Sequence, residues 1–272
     1  MEISTKGKYY GQKDAELSFN EILLSQYDYH EAGTPWHYHE NPYFMFVLHG
    51  NMIDTNSRVK TLLPAGSLMF NNWQESHYGT RHSCQAGGFH LEFEKSWFDK
   101  IGINLDLLEG SQLIENPQIH FLYAQLYREF TLVDDYSELS IEVLLLQICE
   151  GLIAVKEAHQ RVIPPWVKQL KAILHEAPPD LNLKFLSEQL DVHPVHISRS
   201  APKYLATNLG EYIRQVKLKK ALPLLLNSQF SLTQIAYQAG FADQSHFHRV
   251  FKSYFHQSPG QFRKNLKPKG VC

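Results

Sequence analysis

Two groups of side chains in this 272-residue chain combine residue types and spacing that suit molecular recognition. The first group recurs at helical spacing near the carboxyl end and consists of Gln244, Ser245, His248, Arg249 and Lys252. Arginine forms two parallel hydrogen bonds with a guanine edge, glutamine does so with an adenine edge, and lysine and serine hold phosphate. The pattern therefore predicts a helix that reads base edges in duplex DNA.

An earlier group of residues has similar chemistry. A helix predicted to open at Pro194 presents Val195, His196, Ser198, Arg199 and Lys203. The alternative for Arg199 and Arg249 is an ion pair on a helix surface, which contributes little to stability and recognises nothing.

The two groups lie at matching positions of an internal repeat. Leu183–Ile213 resembles Leu232–Arg263 at an offset of 49 residues, and of 50 after a one-residue insertion in the second copy. Internal similarity at a fixed spacing indicates a duplicated unit. In the second copy, Gly240 suits a tight turn and Asp243 a helix cap, while the aromatic stripe of Phe247, Phe251 and Phe255 suits a buried face.

Each copy of this repeat predicts a helix-turn-helix unit, over residues 183–204 and 232–255. A helical stretch from Gly210 to Asn227 joins the two units. Two units in one chain can dock in successive major grooves about 34 Å apart. The sequence therefore predicts that a single chain reads a bipartite site.

Charge is distributed unevenly along the chain. Residues 1–165 hold 11 Lys and Arg against 22 Asp and Glu, whereas residues 166–272 hold 15 against 6, so the two halves carry −11 and +9. A basic half predicts a polyanionic partner, because neutralising phosphates releases counterions. The alternative is that these charges only solubilise helix faces.

Composition excludes several classes of protein. The chain is 43% hydrophobic and 20% charged, which is typical of a folded protein and excludes disorder and collagen-like repeats. No apolar run approaches the roughly 18 residues of a membrane span, and the start lacks the apolar core of a signal peptide. Three widely spaced cysteines suit neither a disulfide framework nor a zinc knuckle. We expect a cytosolic protein with no membrane partner.

Hydrophobic periodicity divides the chain into regions. Short apolar runs broken by turn residues predict a β-barrel over about residues 1–110. Residues 111–160 predict two helices, of which the second is apolar on more than one face and must be buried against its neighbour or a second subunit. Two prolines within residues 161–165 predict a linker, and residues 166–272 are predicted to be helical.

The carboxyl-terminal motifs resemble those of a known family. Ser231–Lys264 resembles the signature of the AraC/XylS family of bacterial transcription regulators, with its Ile-Ala, Gly-Phe, Ser-x-Phe-x-Arg-x-Phe-Lys and Ser-Pro-x-x-Phe-Arg elements. Leu183–Ala221 is similar to the first helix-turn-helix of that family. The resemblance implies recognition helices at about Pro194–Leu205 and Gln244–Phe255, with double-stranded promoter DNA and RNA polymerase as partners of a homodimer.

Three positions depart from the family pattern. Ala201 stands where the matching Phe251 is aromatic, and Ala206 and His256 stand where a glycine usually ends the helix. We expect the first unit to be less rigid than the second, or to be the weaker reader.

The amino-terminal half resembles a second family. Pro35–Gly50 followed by Leu63–Phe70 is similar to the two motifs of cupin barrels, which form the sensor half of many AraC/XylS members. Cupin enzymes hold a metal with a His-x-His pair, a glutamate and a later histidine. Here His37 and His39 are present, but Tyr43 and Phe44 occupy the glutamate position and Met69 the position of the later histidine. We therefore predict no metal and no cofactor, although His77, Glu75 or His90 could replace a missing ligand.

A barrel interior of mixed polarity suits a small-molecule effector. The residues expected to line it are Trp36, His37, His39, Tyr43, Phe70, Trp73 and His77. The alternative is that these rings simply fill the barrel.

The sequence thus predicts an α+β fold, with an amino-terminal cupin-like β-barrel and a helical dimerisation element, then an all-α domain of two helix-turn-helix units joined by a helix. The predicted function is sequence-specific DNA-binding transcription regulation, modulated by an effector or by dimerisation. No catalytic residues are predicted, since the chain has no Gly-rich phosphate loop, Gly-x-Ser-x-Gly elbow or Cys-His pair. The alternatives are a metal-dependent cupin enzyme tethered to DNA and a constitutive regulator without a ligand.

Overall fold

Two β-sheets form most of the amino-terminal half in the computed structural model, which describes residues 2–71, 75–81, 85–103, 110–159, 163–226 and 229–266. One sheet has five strands in the order β1-β4-β9-β6-β7, and the other has six in the order β11-β8-β5-β10-β3-β2. The strands are β1 (Glu2–Ser4), β2 (Gln12–Phe19), β3 (Ile22–Tyr29), β4 (His37–His39), β5 (Tyr43–His49), β6 (Asn51–Asn56), β7 (Lys60–Pro64), β8 (Leu68–Asn71), β9 (His77–Arg81), β10 (Ala86–Phe93) and β11 (Gln112–Leu113).

The rest of the described chain is mainly helical. The helices are α1 (Lys95–Lys100), α2 (Pro117–Thr131), α3 (Ser137–His159), α4 (Pro165–Glu176), α5 (Leu183–Leu190), α6 (Pro194–Leu205), α7 (Leu209–Leu226), α8 (Leu232–Gln238), α9 (Gln244–Phe255) and α10 (Pro259–Leu266). The predicted α+β fold class is confirmed. None of the described helices combines the length and the hydropathy needed to cross a lipid bilayer.

Contacts between Cα atoms divide the chain into two compact units. The first unit comprises Met1–Ile114 and Leu126–Gln147, and the second comprises Glu115–Gln125 and Ile148–Cys272. Helices α2 and α3 each contribute residues to both units. The domain boundaries at 110, 160 and 165 stay predictions, and residues 161 and 162 of the linker lie outside the described residues.

Strand β5 shows how the first unit builds its core. Alternate side chains of a strand point to opposite faces of the sheet, and Tyr43 to Leu48 are all buried. On one face, Tyr43, Met45 and Val47 pack with Leu63 and Met69. On the other face, Phe44 contacts aromatic rings of neighbouring strands. Both faces of β5 are therefore covered, which explains its continuous apolar run.

Two separate clusters form the core of the helical unit. The second helix-turn-helix is built around five buried phenylalanines, with Phe121 and Ala124 of α2 packed against them; the five are Phe241, Phe247, Phe251, Phe255 and Phe262. In the first helix-turn-helix, Ala201 is fully buried in a cluster that includes Leu170 and Leu174 of α4. Leucines from α4 therefore occupy the core around the position where the second copy has Phe251.

The turns of the two copies have the same backbone conformation. Asp191 and Gly240 occupy matching positions, and both have positive φ, at 50° and 82°. A Cβ atom at Gly240 would lie 3.0 Å from the carbonyl oxygen of Pro179, so this position favours glycine for space as well as conformation. At the ends of the two recognition helices, Ala206 and His256 also have positive φ, at 59° and 54°. Side chains other than glycine are strained in this region.

Replacing Ala206 by glycine is expected to stabilise the protein by about 0.5–1 kcal/mol. Glycine relieves the strain of the left-handed conformation, and part of that gain is offset by the greater entropy of the unfolded chain. Thermal melting of the full chain measures the effect. The matched control is Ala154→Gly, at an exposed position within α3, which is expected to destabilise by about 1 kcal/mol. A lower melting temperature for Ala206→Gly would contradict the expectation.

Candidate nucleic-acid interface and barrel cavity

The second helix-turn-helix holds α9 by one face and exposes the other. Asp243 caps the helix by accepting a hydrogen bond from the backbone N–H of His246, at 2.6 Å. Ser231 and Gln234 form a capping box at the start of α8. Because Phe247, Phe251 and Phe255 are fully buried, the surface of α9 that remains is polar.

The predicted DNA-contacting residues of α9 lie on this polar surface. Gln244, Ser245, Arg249 and Lys252 are exposed, and His248 is half-buried. The hydroxyl of Thr233, on α8, donates a hydrogen bond to Gln244 Oε1 at 2.6 Å. The amide oxygen has two lone pairs, so Gln244 Oε1 can keep the bond to Thr233 while it accepts a hydrogen bond from the amino group of an adenine.

Helix α6 has the same arrangement. His193 and Pro194 begin the helix, and Ile197, Ala201 and Leu205 form its buried face. The residues predicted to contact DNA are all exposed; they are Val195, His196, Ser198, Arg199 and Lys203. The His196 ring lies against Trp166 of α4, with the ring centroids 5.5 Å apart.

The cations on the two helices have no anionic partner in the described chain. No carboxylate of a described residue lies within 4.0 Å of the side-chain nitrogens of Arg199, Lys203, Arg249 or Lys252. This argues against the alternative in which Arg199 and Arg249 form helix-surface ion pairs. Unpaired surface cations on a helix suit contact with phosphates and base edges.

A cavity of about 60 Å³ lies between the two sheets of the first unit. Side chains of both sheets line it, including Tyr9, His39, Asp54, His77 and His90. A single water requires about 10–15 Å³ on this measure, so the space suits a few waters or a very small ligand.

Three buried histidines meet at one side of this cavity. His37 and His39 are alternate residues of β4 and therefore share a face, and His77 of β9 is the register partner of His37. The ligand atoms of the three rings all lie within 4.8 Å of one another. Burial lowers the pKa of His37 to about 4 and the pKa of His39 well below its ordinary value. Burial also lowers the pKa of His77. The three rings are therefore neutral at physiological pH.

Other polar groups in the barrel are tied into fixed contacts. The Tyr29 hydroxyl lies 2.8 Å from His90 Nε2, and Tyr9 stacks on the His90 ring with centroids 3.7 Å apart. Glu92 accepts hydrogen bonds from the Gly7 backbone, the Tyr9 hydroxyl and the Asn41 amide. Burial raises the pKa of Asp54 to about 7, and the nearby carboxylate of Glu75 adds to the rise.

Comparisons with known proteins are consistent with the helix-turn-helix geometry. A family model described as a helix-turn-helix domain matches residues 186–265. The Msm operon regulatory protein of Streptococcus mutans is 31% identical over 204 residues, which cover 75% of this chain and 66% of that protein. The chain thus spans just under two thirds of that relative.

Two further proteins are similar along most of the chain. The HTH-type transcriptional activator RhaS of Escherichia coli is 25% identical over 252 residues, which cover 86% of this chain and 89% of RhaS. The chain belongs to the AraC/XylS family of transcription regulators. Its relatives have a non-enzymatic role. A crystal structure of ToxT from Vibrio cholerae is 15% identical with a TM-score of 0.42, and the alignment covers 92% of this chain and 99% of ToxT.

Of the seven residues predicted for an effector pocket, four line the cavity, namely His37, His39, Tyr43 and His77, whereas their role in effector binding stays a prediction. Phe70 does not line the cavity, because it lies on the other face of β8 from Met69 and packs against Phe44. Trp36 is 43% exposed and packs against Tyr78. Trp73 lies outside the described residues.

Sequence reasoning missed most of the residues that line the cavity, including Asp54, His90 and Tyr9. Asp54 lies between Ile53 and Thr55, and His90 between Phe89 and Leu91, so hydrophobic alternation would have placed both polar side chains on the solvent face. Tyr9 precedes β2 and carries no such signal. Of the three side chains considered as substitutes for missing cupin ligands, only His77 joins His37 and His39. Glu75 instead accepts a hydrogen bond from the Ser111 backbone.

Acidification is expected to destabilise the regulator in part through His90. Burial lowers the pKa of His90 to about 3, whereas the unfolded chain titrates near 6.5. Below about pH 6.5 the unfolded state binds a proton that the folded state does not, so stability is lost as the pH falls from 6.5 towards 3. The raised pKa of Asp54 has the opposite effect: the folded state binds a proton that the unfolded state does not, so the free energy of unfolding rises as the pH falls from about 7 to about 4.

Because Asp54 opposes the effect, the prediction is stated as a difference between variants. The free energy of unfolding of His90→Phe is expected to fall less between pH 7 and pH 4.5 than that of the wild type, as measured by urea denaturation. The matched control is His30→Gln, at an exposed position next to β3, which is expected to keep the wild-type slope. Equal slopes for all three proteins would count against this role of His90.

Proposed function

We propose that this chain is a sequence-specific regulator that binds double-stranded promoter DNA through α6 and α9. The observation that carries the proposal is the pair of cationic, exposed helix faces at matching positions of the repeat, with Arg199 and Arg249 free of ion pairs among the described residues. The charge of the carboxyl-terminal half favours the same partner.

Arg249 is assigned to base reading and Lys252 to phosphate contact. Arg249→Ala is expected to weaken binding to the preferred duplex by about 1–3 kcal/mol and to relax base preference at one position. Lys252→Ala is expected to weaken binding to all sequences and to reduce the salt dependence of affinity, because one fewer phosphate is neutralised. The preferred duplex is obtained by selection from a random pool, and affinities are measured by fluorescence anisotropy at several salt concentrations.

Lys184→Ala is the matched control for these substitutions. Lys184 is an exposed cation on α5, outside both recognition helices. Its Nζ lies 4.0 Å from Glu188 Oε1. Its substitution is expected to leave base preference unchanged. If Arg249→Ala lost affinity equally on preferred and random duplexes, the base-reading role of Arg249 would be wrong.

We also propose that the regulator forms a homodimer through α3. One face of this helix is buried, with Ile141, Leu145 and Ile148 fully covered. A second face leaves Leu139, Val143 and Leu146 exposed, three or four residues apart, and the exposed Tyr136 continues this spacing just before the helix. This spacing is typical of a helix that packs against a second helix. An exposed apolar stripe of this kind marks an interaction surface, and a second copy of the chain offers a self-complementary one.

Placing a charge in this stripe is expected to dissociate the dimer. Val143→Glu buries a carboxylate without a partner at the interface, so the dimer dissociation constant is expected to rise at least roughly tenfold. Sedimentation velocity over a range of protein concentrations measures the change. The control is Gln118→Glu, which adds the same charge at an exposed position of α2, outside the stripe. The proposal fails if the wild type is monomeric at micromolar concentration, or if both variants behave alike.

The barrel cavity is proposed as the effector site. Ligand binding there, or dimer geometry by itself, biases how paired DNA-binding units meet adjacent half-sites, with a coupling of about 1–3 kcal/mol in typical cases. Contact with RNA polymerase completes the proposal, and the name of the Escherichia coli relative as an activator supports it. A regulator that acts on promoters in this way works in the bacterial cytosol.

A further inference from the structure

His37, His39 and His77 form a cluster of three buried imidazoles in the described part of the first unit, and imidazole nitrogens are common metal ligands. Their ring centroids are 4.6 Å apart for His37 and His77, 5.0 Å for His37 and His39, and 5.5 Å for His39 and His77. Each side chain is almost completely buried, at 4%, 3% and 4% exposure. Two paired strands hold the three imidazoles close together, so the rings need only a modest inward movement to reach the metal–nitrogen distance of about 2.0–2.1 Å.

Hydrogen bonds orient two of these rings in the way that metal ligands require. His37 Nδ1 lies 2.8 Å from the carbonyl oxygen of Pro35, and His77 Nδ1 lies 3.3 Å from that of Glu75. A backbone carbonyl can only accept, so each ring carries its proton on Nδ1 and presents the lone pair of Nε2. Metal-binding histidines are commonly fixed by a bond of this kind.

A buried carboxylate lies beside this cluster. Asp54 Oδ1 lies 4.0 Å from His77 Nε2, and the residue is only 6% exposed. Among the described residues, no Lys or Arg nitrogen lies within 4.0 Å of this carboxylate. An isolated buried carboxylate is costly, and a bound cation would compensate for it.

This donor set differs from the four-ligand pattern of cupin enzymes. The glutamate position of that pattern is occupied by Tyr43 and Phe44, and the later histidine position by Met69. His77 and Asp54 come instead from β9 and β6, in the sheet that also contains β4. The enzyme pattern does not fit this chain, and the site must be judged on its own geometry.

We propose that His37, His39 and His77 bind one divalent transition-metal ion per chain, with the Asp54 carboxylate as the fourth protein donor. Three imidazole nitrogens and one carboxylate suit Zn²⁺, Co²⁺, Ni²⁺ or Fe²⁺, whereas Mg²⁺ and Ca²⁺ prefer all-oxygen sites. The Tyr43 hydroxyl, 3.3 Å from His77 Nε2, must give up that contact when the ion binds. The site does not depend on the proposed DNA-binding function.

Titration of the full chain with zinc tests the site. After dialysis against a chelator, isothermal titration calorimetry with Zn²⁺ is expected to give one equivalent bound with a dissociation constant of about 1 µM or tighter. Mg²⁺ at millimolar concentration is expected not to compete. Co²⁺ is expected to give the strong visible absorption of a four-coordinate ion.

Variants separate this site from the other histidines of the chain. His77→Gln is expected to weaken Zn²⁺ binding at least roughly 100-fold, whereas His49→Gln, a barrel histidine outside the cluster, is expected to leave affinity and stoichiometry unchanged. Asp54→Asn retains the side-chain shape and is expected to weaken binding at least roughly tenfold without changing the stoichiometry; it serves as the test if His77→Gln does not fold.

Three results would overturn the proposal. They are a wild type that binds less than one equivalent at micromolar zinc, an affinity that neither His77→Gln nor Asp54→Asn lowers, and a cobalt complex with only the weak absorption of a six-coordinate ion.

Discussion

The recognition surface depends on the burial of one face of each recognition helix. Phe247, Phe251 and Phe255 recur every four residues, so they fall on one side of α9 and anchor it in a core that excludes water. The side chains on the opposite side of α9, such as Arg249 and Lys252, are therefore exposed and point in a fixed direction. The same constraint acts on α6 through Ile197, Ala201 and Leu205. The proposed DNA contacts lie on the polar faces of these helices, and the positions of those faces are set by the apolar ones.

The interior of the barrel differs from these cores, since it buries polar side chains among apolar ones. Histidines, tyrosines and two carboxylic acids lie where apolar side chains usually fill a small barrel. Burying such groups is unfavourable unless each finds a partner. Tyr29 with His90, and Glu92 with its three donors, meet this requirement within the protein. His37, His39, His77 and Asp54 meet it only in part, which distinguishes this corner of the cavity from the rest of the barrel.

The helical half was predictable from the sequence because its signals are local. Asp243, Gly240 and the phenylalanine stripe each act within a few residues, and the repeat aligns Asp191 with Gly240, which has the same backbone conformation. The cavity was harder to predict. Phe70 was expected inside, although strand alternation puts it on the outer face, and the approach of His77 to the paired histidines of β4 depends on strand pairing across 40 residues of chain. No local sequence pattern predicts that His77 pairs with His37.

The packing of α4 affects where the DNA-binding half can be cut from the chain. The matched helix-turn-helix family model begins at residue 186, but the core around Ala201 includes Leu170 and Leu174, and Phe121 of α2 packs on Tyr254 and Phe255. A fragment limited to residues 186–265 would lack Leu170 and Leu174 from the core that contains Ala201. It would also expose the rings of Tyr254 and Phe255 that Phe121 covers. An isolated helical domain must therefore begin before Pro165 to keep α4. It also needs polar substitutions at the apolar surface that Phe121 covers in the full chain.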